Sequence, residues 1–215
     1  MALRLLEQAR QPWVLSPTEG PQTSASTNFL GIRQEPVLGL LSASSFSAEE
    51  NRALVHRTWG LLNSTSYGYG SNFQYNEYDK VSSAAIGLFH MVSAVLLDAM
   101  LKFRPVRSIA KVFIIAPGEG PDVEKTRHSR VKFEAVAIAN SNDGGDPPRA
   151  YASFLYLSGA YHTTALFLAQ GAASLLYTRS LEGQVVGGCL TLAFLGADLI
   201  ERVQETGAGF KVDLI

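Results

Sequence analysis

Apolar and polar positions along this chain switch between two periods. Ser47 with Glu50 three residues later has capping-box spacing, and Asn51, Leu54, Val55, Thr58, Trp59 and Leu62 recur at i, i+3, i+4, so residues 48–62 are predicted to form an amphipathic helix. Past a Gly-rich turn the period drops to two. Over residues 71–81, Phe73 and Tyr75 point one way and Asn72, Gln74, Asn76 and Lys80 the other, which predicts a half-buried strand. Ser82 or Ser83 then caps a long apolar helix over residues 84–101, Pro105 breaks it, and a shorter helical piece runs to about Ile115. Pro117, Gly118, Gly120 and Pro121 make a turn. Residues 131–139 and 150–157 read as two strands joined by a loop over 140–149 rich in Asn, Asp, Gly and Pro. Residues 161–177 are apolar nearly all round, as expected of a helix packed on both sides. Gly187 and Gly188 lead to an amphipathic helix near 194–206, which Gly207 and Gly209 end, and residues 210–215 close as a strand. Residues 1–10 read as a short helix, apolar at Leu3, Leu5, Leu6 and Ala9, and residues 11–28, with Pro12, Pro17, Gly20 and Pro21, as an irregular segment.

Hairpin-paired strands with packed helices predict an α+β fold, with a largely antiparallel or mixed sheet, as one domain over residues 1–215. Composition narrows the partners. The chain has 18 Lys+Arg against 19 Asp+Glu and no basic cluster, so no nucleic-acid partner is expected. Only 17% of residues are charged, against about 25% for an average soluble domain, so part of the surface is expected to be neutral or to lie against something apolar. A homodimer through the sheet or helices and an apolar small-molecule substrate fit that balance. Residues 84–101 come nearest to a membrane span, but they hold His90 and Asp98, and a carboxylate in hydrocarbon costs about 2.5–3.5 kcal/mol. A buried helix or a peripheral membrane or lipid contact is expected instead. The lone Cys189 fits a reducing compartment, and residues 1–10 lack the apolar core of a secretory signal, so the expected location is cytoplasmic, with membrane or lipid association through 84–101.

No metal site is expected, because His56, His90, His128 and His162 lie far apart without ligand spacing. Gly68-Tyr69-Gly70 lacks the third glycine and the helix of a dinucleotide fingerprint. Tyr75 and Lys80 are one residue too far apart for a Tyr-x-x-x-Lys pair, and no nucleophile elbow occurs. The candidate chemistry is a strip of phenols, amides and charges: Tyr67, Tyr69, Asn72, Gln74, Tyr75, Glu77, Tyr78 and Lys80. Such a strip can orient a polar group within an apolar cavity, or its tyrosines can simply pack while its amides face water. Tyr161 and His162 open the apolar helix and form a second candidate pair, to be weighed against plain capping. Asp98 and Lys102 have the spacing of a structural i,i+4 ion pair.

The segments Gln11-Pro12-Trp13-Val14-Leu15-Ser16-Pro17, Tyr69-Gly70-Ser71-Asn72-Phe73-Gln74-Tyr75-Asn76-Glu77-Tyr78, Pro117-Gly118-Glu119-Gly120-Pro121 and Gly187-Gly188, followed by Leu199-Ile200-Glu201-Arg202 before a Gly-Phe-Lys-Val strand, resemble in order the C-terminal part of saccharopine dehydrogenase-like oxidoreductases, including trans-acting enoyl reductases. The resemblance implies a sheet-and-helix domain that closes over substrate and mediates association, behind a Rossmann domain that this chain lacks. Ser158-Gly159-Ala160-Tyr161 departs from the family's Gly-x-Pro-Gly-Tyr, and Leu192 replaces a proline. With no pyrophosphate-binding unit, no cofactor is expected. Three functions follow as expectations. The first is a cofactor-free enzyme of polyketide or terpenoid metabolism that folds an apolar substrate for cyclisation, a Diels-Alder-type pericyclic step or isomerisation. Its catalytic candidates are Tyr69, Gln74, Tyr75 and His162, and its substrate-binding candidates Tyr67, Asn72, Tyr78, Lys80 and Tyr161. The second is a split NAD(P)-dependent reductase subunit that needs a Rossmann partner. The third is a non-catalytic lipid-binding or scaffold protein.

Overall fold

Asn28 and Glu35 shape the first structured element from its two ends. In the computed structural model, which describes residues 11–21, 27–45, 47–63, 65–110, 118–126, 128–140, 145–177 and 188–215, Asn28 Oδ1 accepts from Leu30 N and Ile32 N, both at 3.0 Å. Glu35 Oε2 accepts from Val37 N at 2.7 Å and Leu38 N at 2.6 Å. These carboxylate bonds hold a tight turn between β1 (Ile32–Glu35) and β2 (Gly39–Ser42), where Gly39 takes φ 87° without a Cβ clash. The chain forms two compact units, Met1–Lys102 with Cys189–Thr191, and Phe103–Gly188 with Leu192–Ile215. Both are α+β, and each carries a three-stranded antiparallel sheet. The expected helix over residues 1–10 lies outside the described residues.

In the first unit the sheet order is β1-β2-β3, with β3 only Asp79–Lys80. The strand expected over 71–81 is therefore corrected: residues 73–78 have no regular structure. The four-residue β2 has backbone groups for Asp79, Lys80 and Val81 only, so period-two alternation upstream finds no ladder. Helix α1 (Ala48–Leu62) has the expected bounds, and its buried residues are Ala53, His56, Thr58 and Trp59. Its expected capping box does not form. Ser47 makes no cap bond, and its hydroxyl donates to Glu77 instead. Trp13 stacks on His56 with centroids 3.7 Å apart, and His56 Nδ1 donates to the Pro12 carbonyl at 2.8 Å. Gly60 leaves room for Ser16 and Pro17. Arg57 donates to Leu15 O and twice to Cys189 O, while the hydroxyls of Thr58 and Thr191 meet at 2.6 Å. Helix α2 (Ala84–Leu101) begins at Ser83, whose side chain accepts from Ile86 N as expected. Gly87, its one buried residue, brings it onto the sheet beside Ile32 and Ser42, Leu88, Met91, Ser93 and Leu101 are half-buried, and the rest of the helix is exposed rather than buried. Asp98 and Lys102 pair at 2.9 Å on its surface.

The second unit begins with α3 (Arg104–Ala110) and α4 (Val123–Thr126), the latter started by Asp122 accepting from Glu124 N. The expected continuation of α3 to Ile115 lies outside the described residues. Strands β4 (Val131–Ile138), β5 (Arg149–Tyr156) and β6 (Gly209–Leu214) pair in that order, with Phe133 opposite Phe154 and Phe154 opposite Phe210. Alternation makes one sheet face wholly apolar: Val131, Phe133, Ala135, Ala137, Ala150, Ala152, Phe154, Tyr156, Phe210, Val212 and Leu214. Helices α5 (Ala160–Tyr177) and α6 (Gly196–Glu205), the latter preceded by a 3-10 turn at Leu192–Leu195, cover only part of it. The core joins Phe154, Leu199, Val203 and Ala208 to Leu166, Phe167, Leu195 and Phe210.

Helix α5 corrects another expectation. It is packed along one stripe rather than on both sides, with Thr163, Gly171 and Ser174 buried while Leu168, Leu175, Leu176 and Tyr177 stay exposed. Small residues on the stripe permit close approach, as at Gly171, where an added Cβ would lie 3.1 Å from Leu192 Cδ2. Phe154 touches the rings of Phe133, Phe167 and Phe210, so Phe154→Ala is expected to lower stability by about 3–5 kcal/mol, read as a fall in the urea midpoint.

Candidate functional site

Of the polar strip, Tyr75 and Glu77 meet, and Glu77 acts as glue. Glu77 Oε1 accepts from Ser45 Oγ at 2.8 Å and Ser47 Oγ at 3.0 Å, and Oε2 from Asn51 Nδ2 at 2.8 Å and Tyr75 OH at 3.1 Å. One carboxylate thus ties the irregular 73–78 segment to the start of α1. Burial alone would raise its pKa, but the bonds from Asn51, Ser45, Ser47 and Tyr75 outweigh it and lower the carboxyl below its ordinary value. Burial pushes the Tyr75 phenol up, and the charge and hydrogen bond of Glu77 push it further. Burial also raises Tyr69, whose ring tilts on Phe73 at 5.1 Å. Both phenols therefore stay protonated at neutral pH, and that of Tyr75 donates to Glu77.

The other candidates lie around this cluster or away from it. Tyr67, Asn72, Gln74 and Lys80 are exposed, Lys80 on β3 opposite Leu41. Tyr78 lies under the Arg33 guanidinium at 5.9 Å. All seven candidates from Tyr67 to Lys80 belong to the first unit, whereas Tyr161 and His162 begin α5 in the second. Tyr161 is exposed and its ring faces Gly120, while His162 is half-buried. Sequence reasoning placed Glu77 in the strip but did not single it out, and it missed Ser45 and Asn51. A carboxylate flanked by Tyr75 and Tyr78 was the available signal.

His56 is fully buried. Because Nδ1 donates to a carbonyl, Nε2 carries the lone pair, and this atom is buried without a hydrogen-bond partner among the described residues. Burial lowers its pKa, the Pro12 carbonyl opposes that, and Arg52 adds to it. Among the described residues no group of three His, Cys, Asp or Glu side chains is placed to hold a metal ion.

The second unit has an open apolar trough of about 370 Å³ between β4 and α5, lined by Val131, Phe133, Ala160, Thr163, Thr164, Phe167, Leu168 and Leu192. Its two hydroxyls donate to the Gly159 and Ala160 carbonyls. Among the described residues no titratable side chain lines it. No family model, curated protein or solved structure matches the chain.

A lowered carboxyl gives stability that is fully present above the ordinary glutamate value of about 4.3 and lost as pH falls through the folded value. Glu77→Gln is expected to cost about 1–2 kcal/mol at pH 7 and to flatten the dependence of the urea midpoint between about pH 5 and 3. A histidine with a lowered pKa has the same sign at a higher window, so stability falls as pH drops below about 6.5. Replacing His56 by Asn, which can still donate to Pro12, should remove that slope in denaturant titrations followed by Trp13 and Trp59 fluorescence.

Proposed function

We propose that this chain is a non-catalytic lipid-binding protein that rests the C-terminal half of α2 on a membrane surface. One observation carries the reading: Ala94, Val95, Leu96, Leu97, Asp98, Ala99 and Met100 are exposed in succession, so this half is bare all round. An 18-residue window of mean hydropathy 1.9 is costly to leave in water, and α2 is long and apolar enough to cross a membrane by length and composition. The Asp98–Lys102 pair argues for lying at the interface, where a lysine stem can run along apolar surface while its charge stays in water. In sequence, Phe103-Arg104 follows, adding an exposed ring for the interface and one cation beyond the Asp98–Lys102 pair for anionic headgroups.

The trough of the second unit favours a second reading, the cofactor-free enzyme acting on an apolar substrate, because its volume suits a small apolar molecule. Its lining supplies shape alone, so proton chemistry there would need a group brought by the substrate.

The test is co-sedimentation with vesicles of phosphatidylserine and phosphatidylcholine against phosphatidylcholine alone. The chain is expected to bind both, more tightly to the anionic vesicles. Leu96→Glu with Leu97→Glu should weaken binding at least about tenfold with an unchanged circular dichroism spectrum, since both side chains are exposed. Absence of wild-type binding, or equal binding by this variant, would overturn the proposal.

A further inference from the structure

The outer edge of β6 is complementary to itself. The N–H of Ile215 donates to the Arg149 carbonyl at 2.9 Å, so the odd-numbered residues of β6 turn their backbone groups toward β5. Phe210, Val212 and Leu214 therefore turn theirs to the open edge, which no strand among the described residues pairs. Their side chains lie on the apolar sheet face, where Val212 is 72% and Leu214 88% exposed, while Lys211 and Asp213 lie exposed on the opposite face. Outward from Val212 in both directions, the strand meets one charge, of opposite signs, and then one large apolar residue.

We infer that β6 pairs with β6 of a second copy of this chain, antiparallel about a two-fold axis at Val212, to make one continuous six-stranded sheet. In this register Val212 faces its own copy and Phe210 faces the partner's Leu214. Each of these pairs exchanges two backbone hydrogen bonds across the edge. Lys211 then faces the partner's Asp213, and the reverse, in the non-hydrogen-bonded positions where Cα atoms lie closest, about 4.5 Å apart. Neighbouring registers fail on charge. An axis at residue 211 sets lysine against lysine, and one at 213 sets aspartate against aspartate, which is destabilising. An axis between two residues would set apolar side chains opposite charged ones.

Two contacts bear on the choice of edge. Gln204 Nε2 reaches the Phe210 carbonyl at 3.5 Å, a long bond that leaves the second lone pair of that oxygen for a partner's amide. At the other edge, β4 also alternates Lys132 and Glu134, but these charges are engaged within their own sheet: Lys132 pairs with Glu134 at 3.1 Å, and Tyr151 donates to Glu134 at 2.7 Å. The interface is separate from α2 and holds whether or not α2 binds lipid.

Sedimentation equilibrium of the full chain tests the register. The wild-type chain is expected to be a dimer, and Lys211→Glu and Asp213→Lys should each raise the dimer dissociation constant about tenfold by placing like charges opposite each other. The double variant, with the charges exchanged, should return to within about threefold of wild type, a rescue that general loss of folding cannot mimic. Val212→Pro removes an amide that faces the open edge, not β5, so it should give a monomer with an unchanged circular dichroism spectrum. A monomeric wild type at about 100 μM, near the weak end of useful affinity, would overturn the inference. So would a dimer indifferent to the single charge changes, or a double variant as impaired as the singles.

Discussion

A three-stranded sheet has two faces and two edges, and in each unit of this chain the helices cover only part of what the sheet leaves open. In the second unit, α5 and α6 seal the region around Phe154 and Val203 but leave Phe133, Val212 and Leu214 in water. In the first, α2 touches the β1–β2 hairpin through Gly87, Met91 lies beside Gly31, and residues 94–100 beyond are exposed. This shortage of covering layers governs the rest. It leaves large apolar side chains exposed in both units.

Polar contacts do what missing layers would otherwise do inside the first unit. The Glu77 carboxylate gathers two serines, an asparagine and a tyrosine, and so holds an irregular segment that has no sheet partner. His56 joins α1 to the 11–21 segment by a ring stack and a hydrogen bond to a carbonyl. Burial disfavours a charged His56 and the hydrogen bonds favour an ionised Glu77, so protonating either group as pH falls weakens the unit.

Part of the site was legible in the chain itself. The concentration of phenols and amides between Tyr67 and Lys80 includes the segment that Glu77 ties to the start of α1. Its organisation was not legible, since Ser45, Ser47 and Asn51 meet Glu77 only through a long-range fold. The capping-box spacing of Ser47 and Glu50 shows the same limit: the local signal was sound, and a distant carboxylate competed successfully for the hydroxyl. The segments that resemble saccharopine dehydrogenase-like oxidoreductases are spread over both units, Trp13 and Tyr69–Tyr78 in one and Leu199–Arg202 in the other.

Periodicity alone determined the bounds of α1, the positions of β4, β5 and β6, the cap of α2 and the Asp98–Lys102 pair, because each depends on neighbours a few residues away in sequence. The β1–β2 hairpin escaped it because a buried carboxylate, not an Asn-Gly dipeptide, makes the turn. Tertiary structure alone decided that residues 73–78 are not a strand, that α5 is bare along one side and that the edge of β6 is open. Whether an apolar face is buried depends on how many layers the fold supplies, and hydropathy along a chain records the need for cover without recording what provides it.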